Sequence, residues 1–152
     1  MQARQGAASK NMIKVPASLL RQIYDHTEAS YPNECCGLMI GEFGESKIVH
    51  AFRTCRNLNT DRSRDRYNMD PRDWLRVERE FENSPWEIIA IYHSHPDHPS
   101  KPSQTDTDAA HALYSYVIIS VEKGTVASAQ SWVLNESERK FYEEPLVKGE
   151  SK

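Results

Sequence analysis

The sequence predicts a single mixed α/β domain, a β-sheet flanked by two or three helices. Three observations carry this. The chain has 152 residues, the length of one ordinary domain. Hydrophobic residues make up 38% and charged residues 27%, enough apolar material for a core that needs no disulfide or metal staples. Segments with helical spacing alternate along the chain with short apolar or alternating runs of strand type.

Residues 1–11 are polar and rich in Gly, Ala, Ser and Gln, and read as a disordered leader. The domain proper is expected over 12–147, with an untethered tail over 148–152. Pro16 to Ser30 carries Leu19, Leu20, Ile23, Tyr24 and Thr27 as a helical stripe, with Pro16 suited to the first turn and Pro32 ending it. Cys35 to Gly41 is a short apolar run bounded by glycine, a buried strand, and 46–53 alternates as its neighbour. The polar stretch 56–66 reads as a loop, with Tyr67 and Met69 as a short strand after it. Asp70 and Pro71 open a second helix as N-cap and first residue, with Trp74, Val77 and Phe81 on one face. Ile88 to Tyr92 is an apolar strand that runs into His93-Ser94-His95-Pro96. A helix is expected over Ser103 to Leu113, then strands over Tyr116–Val121, Ala127–Leu134 and Lys140–Glu144.

Composition also narrows function. Mean hydropathy is −0.72 and no long apolar run occurs, which leaves no candidate transmembrane helix. The N-terminus lacks a signal peptide's apolar region. Net charge is −3, against a dedicated nucleic-acid binder. Cys35, Cys36 and Cys55 form no CxxC pair and read as reduced thiols. The expectation is a soluble, cytoplasmic protein.

The chemistry concentrates in 93–106. His93 and His95, at i and i+2 on a strand, point to one face. Asp106, in the first turn of the following helix, can return a carboxylate to that face. Two imidazoles and one carboxylate are a zinc set that leaves a tetrahedral position open for water, hence catalytic in type. Glu34, at the loop–strand junction before the buried 35–40 run, is the candidate general base. Ser103-Gln104-Thr105-Asp106 also reads as a helix N-terminus, a variant of the capping box. The two readings are compatible.

Glu34, then His93-x-His95-Pro96, six residues, and Ser103-x-x-Asp106 together resemble the signature of the JAMM (MPN-plus) metalloprotease family. Pro32-Asn33-Glu34-Cys35-Cys36-Gly37 and Tyr67-Asn68-Met69-Asp70-Pro71 are similar to segments of its bacterial branch, so the resemblance spans about 12–134. It implies one JAMM/MPN-like domain of cytidine-deaminase-like architecture and one Zn²⁺ per chain. The ligands would be His93, His95 and Asp106. Glu34 would be the general acid/base, and Ser103 would hydrogen-bond the oxyanion or the attacking water. It also implies a substrate: a small β-grasp, ubiquitin-like sulfur-carrier protein, cleaved after its Gly-Gly terminus to release an amino acid such as cysteine, as in Mec-type enzymes. A general, cell-wall or phage-tail-type JAMM peptidase and a non-catalytic MPN scaffold are the alternatives. RadC-like members fit less well, because Asp97-His98 follows His-x-His-Pro here. Arg53, Arg56, Arg62, Arg64 and Arg66 read as a solvated loop or as an electropositive lip for an acidic surface. His98 reads as a solvated loop residue, and His26, His50 and His111 as structural or surface.

Overall fold

The computed structural model describes residues 11–60, 63 and 66–150. Eleven elements follow one another: β1 (Ile13–Pro16), α1 (Ala17–Ser30), β2 (Cys36–Glu42), β3 (Lys47–Cys55), α2 (Pro71–Phe81), β4 (Glu87–Pro96), α3 (Gln104–Ala109), β5 (Ser115–Glu122), β6 (Thr125–Asn135), β7 (Lys140–Glu144) and β8 (Leu146–Gly149). The strands form one mixed sheet in the order β7-β6-β5-β4-β2-β3-β1-β8. β4 and β5 run parallel at its centre, and β2 lies antiparallel to β4.

The central strands are buried on both faces, which is why their sequences are continuous apolar runs. Along β2 the side chains alternate between two cores. Met39 joins Leu20 and Ile23 of α1 with Ile89, Val117 and Ile119, while Leu38 and Ile40 join Val77 of α2 with Ile88 and Tyr116. Burying each large aliphatic side chain contributes about 1.5–3 kcal/mol. Gly37 has a steric reason: a Cβ there would sit 2.3 Å from the Tyr92 ring.

The second helix starts as its sequence requires. The Asp70 carboxylate accepts from Arg72 N–H at 2.9 Å, and Pro71 follows. Elsewhere the structure departs from the sequence reading. β1 and β8 add two strands, pairing in parallel through Ile13↔Leu146 to Pro16↔Gly149, so Lys148 and Gly149 belong to the sheet and not to an untethered tail. The expected leader, 1–11, lies outside the described residues except for Asn11. In place of the expected strand at Tyr67 and Met69, Met69 makes one isolated bridge, Asn57↔Met69, and Tyr67 is in no strand. α3 stops at Ala109 because Ala110 is drawn into the α2-side core and His111 N–H donates to Tyr116 Oη at 2.8 Å.

Pro145 alone separates β7 from β8, although these strands are the two edges of the sheet. The sheet is therefore strongly curled. Four side chains meet at the closure: Lys47 Nζ reaches Glu144 Oε2 at 3.1 Å and Ser115 Oγ at 2.5 Å, and both Ser115 and Ser131 donate to Glu144 Oε1. No helix among the described residues is long and apolar enough to cross a membrane.

Candidate metal centre

β4 runs unbroken through the histidines to Pro96, so strand pleating sends His93 and His95 to one face. Their Nε2 atoms lie 3.2 Å apart. Asp106 completes the set, with Oδ2 at 3.1 Å from His95 Nε2 and Oδ1 at 3.4 Å from His93 Nε2. Donors about 2.0–2.1 Å from a common centre at tetrahedral angles stand roughly 3.3–3.4 Å apart. The three separations, 3.1–3.4 Å, lie close to that spacing, with Asp106 facing each histidine through a different oxygen, so the residues present fit a zinc ion.

The surroundings orient these donors. His95 Nδ1–H donates to the Pro99 carbonyl at 2.8 Å, which fixes the tautomer and leaves the Nε2 lone pair facing the centre. Asp106 is aimed by the capping box. Its Oδ2 accepts Ser103 N–H at 2.9 Å while Ser103 Oγ accepts Asp106 N–H at 3.0 Å. The capping box expected from the sequence is present, and it turns the Asp106 carboxylate towards the two histidines. The intervening loop is fastened to the sheet: Asp97 N–H donates to Val121 O at 2.7 Å, Ser120 Oγ to His98 O, and Trp132 Nε1–H to Ser100 O at 3.0 Å.

Charge follows the geometry. Burial lowers the His93 pKa, and the Asp106 carboxylate only partly opposes it. For His95, burial is outweighed by hydrogen bonds to Asp106 and Pro99 and by the nearby Glu34 charge, so its pKa rises. Burial works against ionised Asp106 too, but its contacts with both histidines hold the carboxyl well below the usual range. His93 Nδ1 is buried with no hydrogen-bond partner among the described residues. Its ring stacks on Tyr67, centroids 4.5 Å apart.

Glu34 is buried, 7% exposed, and stands outside the ligand cluster, which comprises His93, His95 and Asp106. Its backbone is held on both sides: its N–H donates to Ser63 O, and its carbonyl accepts from Asn57 Nδ2 at 3.1 Å. Together with His95 and Ser103 it lines a cleft of 340 Å³. A second cleft of 250 Å³ reaches Ser103 and Asp106 from the side of Tyr67 and Met69. All five residues singled out by the sequence therefore meet in one place.

Sequence reasoning missed the supports. Asn57 bridges the Glu34 and Arg66 carbonyls, and Ser94 Oγ accepts Cys35 N–H at 3.0 Å. Asn57 sits in a uniformly polar loop and Ser94 between two histidines, so neither carries a local signal. Two of the five arginines read as a possible lip are used inside the fold: Arg53 pairs with Glu80 at 2.6 Å and Arg56 with Asp73 at 3.1 Å. Arg62 and Arg64 lie outside the described residues. Burial raises all three thiols, Cys55 to about 11, so none offers a thiolate nucleophile.

The profile of Prok-JAB, prokaryotic homologs of the JAB domain, matches residues 16–135. The chain belongs to this family. Among curated Prok-JAB-like relatives, tail tip assembly protein K of Escherichia phage N15 is 30% identical over 129 residues, 84% of this chain and 47% of that protein. The CysO-cysteine peptidase of Mycobacterium tuberculosis is 29% identical over 99 residues, 65% of this chain and 66% of the peptidase. A desampylase of Pyrococcus furiosus is 31% identical over 126 residues, 82% of this chain and 83% of that enzyme. The chain thus spans about half of the phage protein and just under two thirds of the CysO-cysteine peptidase. A solution structure of a Desulfitobacterium hafniense protein superposes with a TM-score of 0.80 at 28% identity, covering 91% of this chain and 94% of that one.

Proposed function

We propose that the chain is a zinc-dependent JAMM peptidase. It hydrolyses the amide bond after the Gly-Gly terminus of a small β-grasp, ubiquitin-like sulfur-carrier protein and releases an amino acid such as cysteine. The observation that carries this reading is the convergence of two imidazole Nε2 atoms and one carboxylate at tetrahedral spacing beside a buried glutamate. Relatives named CysO-cysteine peptidase and desampylase support the substrate class.

His93, His95 and Asp106 would hold one zinc ion per chain. Bound there, zinc supplies Lewis acidity and brings the pKa of a coordinated water towards about 7. Glu34 takes a proton from the attacking water and delivers it to the leaving amine. The scissile C–N bond breaks, the water oxygen remains on the glycine carbonyl carbon as a carboxylate, and the amine departs protonated. Ser103 Oγ accepts from Asp106 N–H, which leaves its own hydroxyl hydrogen to donate to the oxyanion.

The likeness to tail tip assembly protein K favours a second reading, a phage-tail or cell-wall JAMM peptidase acting on short peptides. Mass spectrometry of a carrier–cysteine adduct incubated with the zinc-loaded protein, beside a peptide bearing the same tail, separates the two. Efficient cleavage of the adduct and poor cleavage of the peptide is the expected result. Equal rates favour the general peptidase, and no cleavage of any carrier adduct overturns the carrier substrate.

A further inference from the structure

Most cations around the site are neutralised within the fold. Arg53 is bound to Glu80, Arg56 to Asp70 and Asp73, Arg72 to Asp70, and Arg76 to Asp73. Arg66 and Lys101 are different. Among the described residues, neither side chain makes a hydrogen bond or ion pair, and both line the 340 Å³ cleft that holds Glu34, His95 and Ser103. They come from separate segments, Arg66 from the one before α2 and Lys101 from the one between β4 and α3, so the cleft presents two positive charges with no partner among the described residues beside Glu34, His95 and Ser103.

The chemistry assigns a direction to that cleft. A general acid must reach the leaving nitrogen, so the residue beyond the scissile bond lies on the Glu34 side. The adjoining 250 Å³ cleft shares Arg66 and Ser103 with the first and adds Tyr67, Met69 and Asp106, whereas Lys101 lines the first and not the second. Arg66 thus stands at the junction of the two clefts, and the Tyr67–Met69 wall beyond it suits a Gly-Gly segment, which has no side chains to place. A residue leaving as a free amino acid carries its carboxylate two bonds from the departing nitrogen. An isopeptide-linked lysine instead departs through its side-chain amine, and its carboxyl is remote and tied up in a peptide bond.

We infer that Arg66 and Lys101 form a subsite for the free α-carboxylate of the leaving residue. The chain is thereby directed to release a single C-terminal residue in preference to cutting isopeptide bonds. This deepens the hydrolytic reading above and rests on it for the direction of the substrate. Guanidinium and ammonium groups both form charge-assisted hydrogen bonds to carboxylates, roughly twice as strong as neutral ones. A carboxamide at the same place forfeits the charge.

The test is binding, measured apart from turnover. Acetyl-Gly-Gly-Ala with a free carboxylate and the corresponding carboxamide are titrated calorimetrically into zinc-loaded Glu34→Gln protein. The acid is expected to bind about tenfold more tightly. Adding Arg66→Ala and Lys101→Ala should reduce it to the level of the amide, with an unchanged melting temperature, and Arg66→Lys should restore part of the preference. Equal binding of acid and amide, no binding of either, or a preference that survives in the double variant overturns the subsite. The last result would place the carboxylate on the metal instead. A parallel assay compares a carrier–alanine adduct with a carrier–lysine isopeptide on the wild type. Equal cleavage of the two overturns the subsite and leaves the hydrolase intact. An acid preference without hydrolysis of any adduct retains the subsite and removes the hydrolytic reading.

Discussion

Two buried polar clusters stand at opposite ends of the central strands, and their chemistry is opposite as well. At one end Lys47, Glu144, Ser115 and Ser131 satisfy one another, each donor matched to an acceptor. At the other, His93 and His95 turn Nε2 atoms towards each other and towards a carboxylate, an acceptor-rich arrangement around a common centre. β5 pairs Ser115 with Ala90 and Ser120 with His95, which puts the clusters about 17 Å apart at 3.3 Å per residue. A cluster that closes on itself is there to hold the curled sheet together. One whose nitrogen and carboxylate donors face a shared point suits a cation.

That contrast can be broken at either end. The largest effect is expected from Glu34→Gln, which should lower hydrolysis of a carrier adduct by about 10²–10⁴-fold while circular dichroism and zinc content stay as in the wild type. Turnover at the wild-type rate would remove Glu34 from the chemistry. At the far end, Glu144→Ala strands Lys47 and two hydroxyls. It should destabilise the fold by about 3–5 kcal/mol in urea unfolding, with zinc still bound by the folded fraction. Pairing it with Lys47→Met should recover much of that loss, because the stranded charge is gone. Zinc lost in step with Glu144→Ala, at denaturant levels where the fold survives, would mean the two ends are coupled.

A third carboxylate gives a baseline outside both clusters. Hydrogen bonds from Arg56, against a smaller opposing effect of burial, hold the Asp73 carboxyl below the usual range. A carboxyl depressed in the folded state contributes stability that is fully present above its unfolded value, near pH 4. That contribution is lost as pH falls through the folded value. Asp73→Asn should therefore weaken the protein at neutral pH and flatten the fall in its urea midpoint below about pH 4. An unchanged acid profile would show that the Arg56 contact contributes nothing. The smallest effect on the fold belongs to Ser103→Ala, which removes the α3 cap at a cost of about 1 kcal/mol and loosens Asp106. Zinc affinity should drop by about tenfold or more, the range seen when a partner that orients a ligand is lost; unchanged affinity would mean that Asp106 is held without the cap.

The ligand end was far more legible in the sequence than the closure end, and for a local reason. His93 and His95 fall two apart on a strand and Asp106 three after a helix cap, so short-range geometry already brings them together. The apolar runs of β2 and β4 and the Asp70-Pro71 start of α2 were readable in the same way. β1 and β8 were not. Each is four residues long; β8 exists by pairing with β1 more than 130 positions away, Leu146 with Ile13, and β1 is held between β8 and β3, Ile13 also facing Lys47. Lys47 and Glu144 likewise meet only because the sheet curls. Arg53 and Arg56 looked like a solvated basic run until α2 supplied Glu80, Asp70 and Asp73.

The most direct test of the account is the metal content of three proteins, measured by elemental analysis after identical purification and dialysis against zinc. The wild type and Glu34→Gln should each retain about one zinc per chain, and the His93→Ala, His95→Ala double variant should retain none while its thermal unfolding remains cooperative. Stoichiometric zinc in the double variant, or a wild type that binds none, would contradict the assignment of His93, His95 and Asp106 as a metal centre.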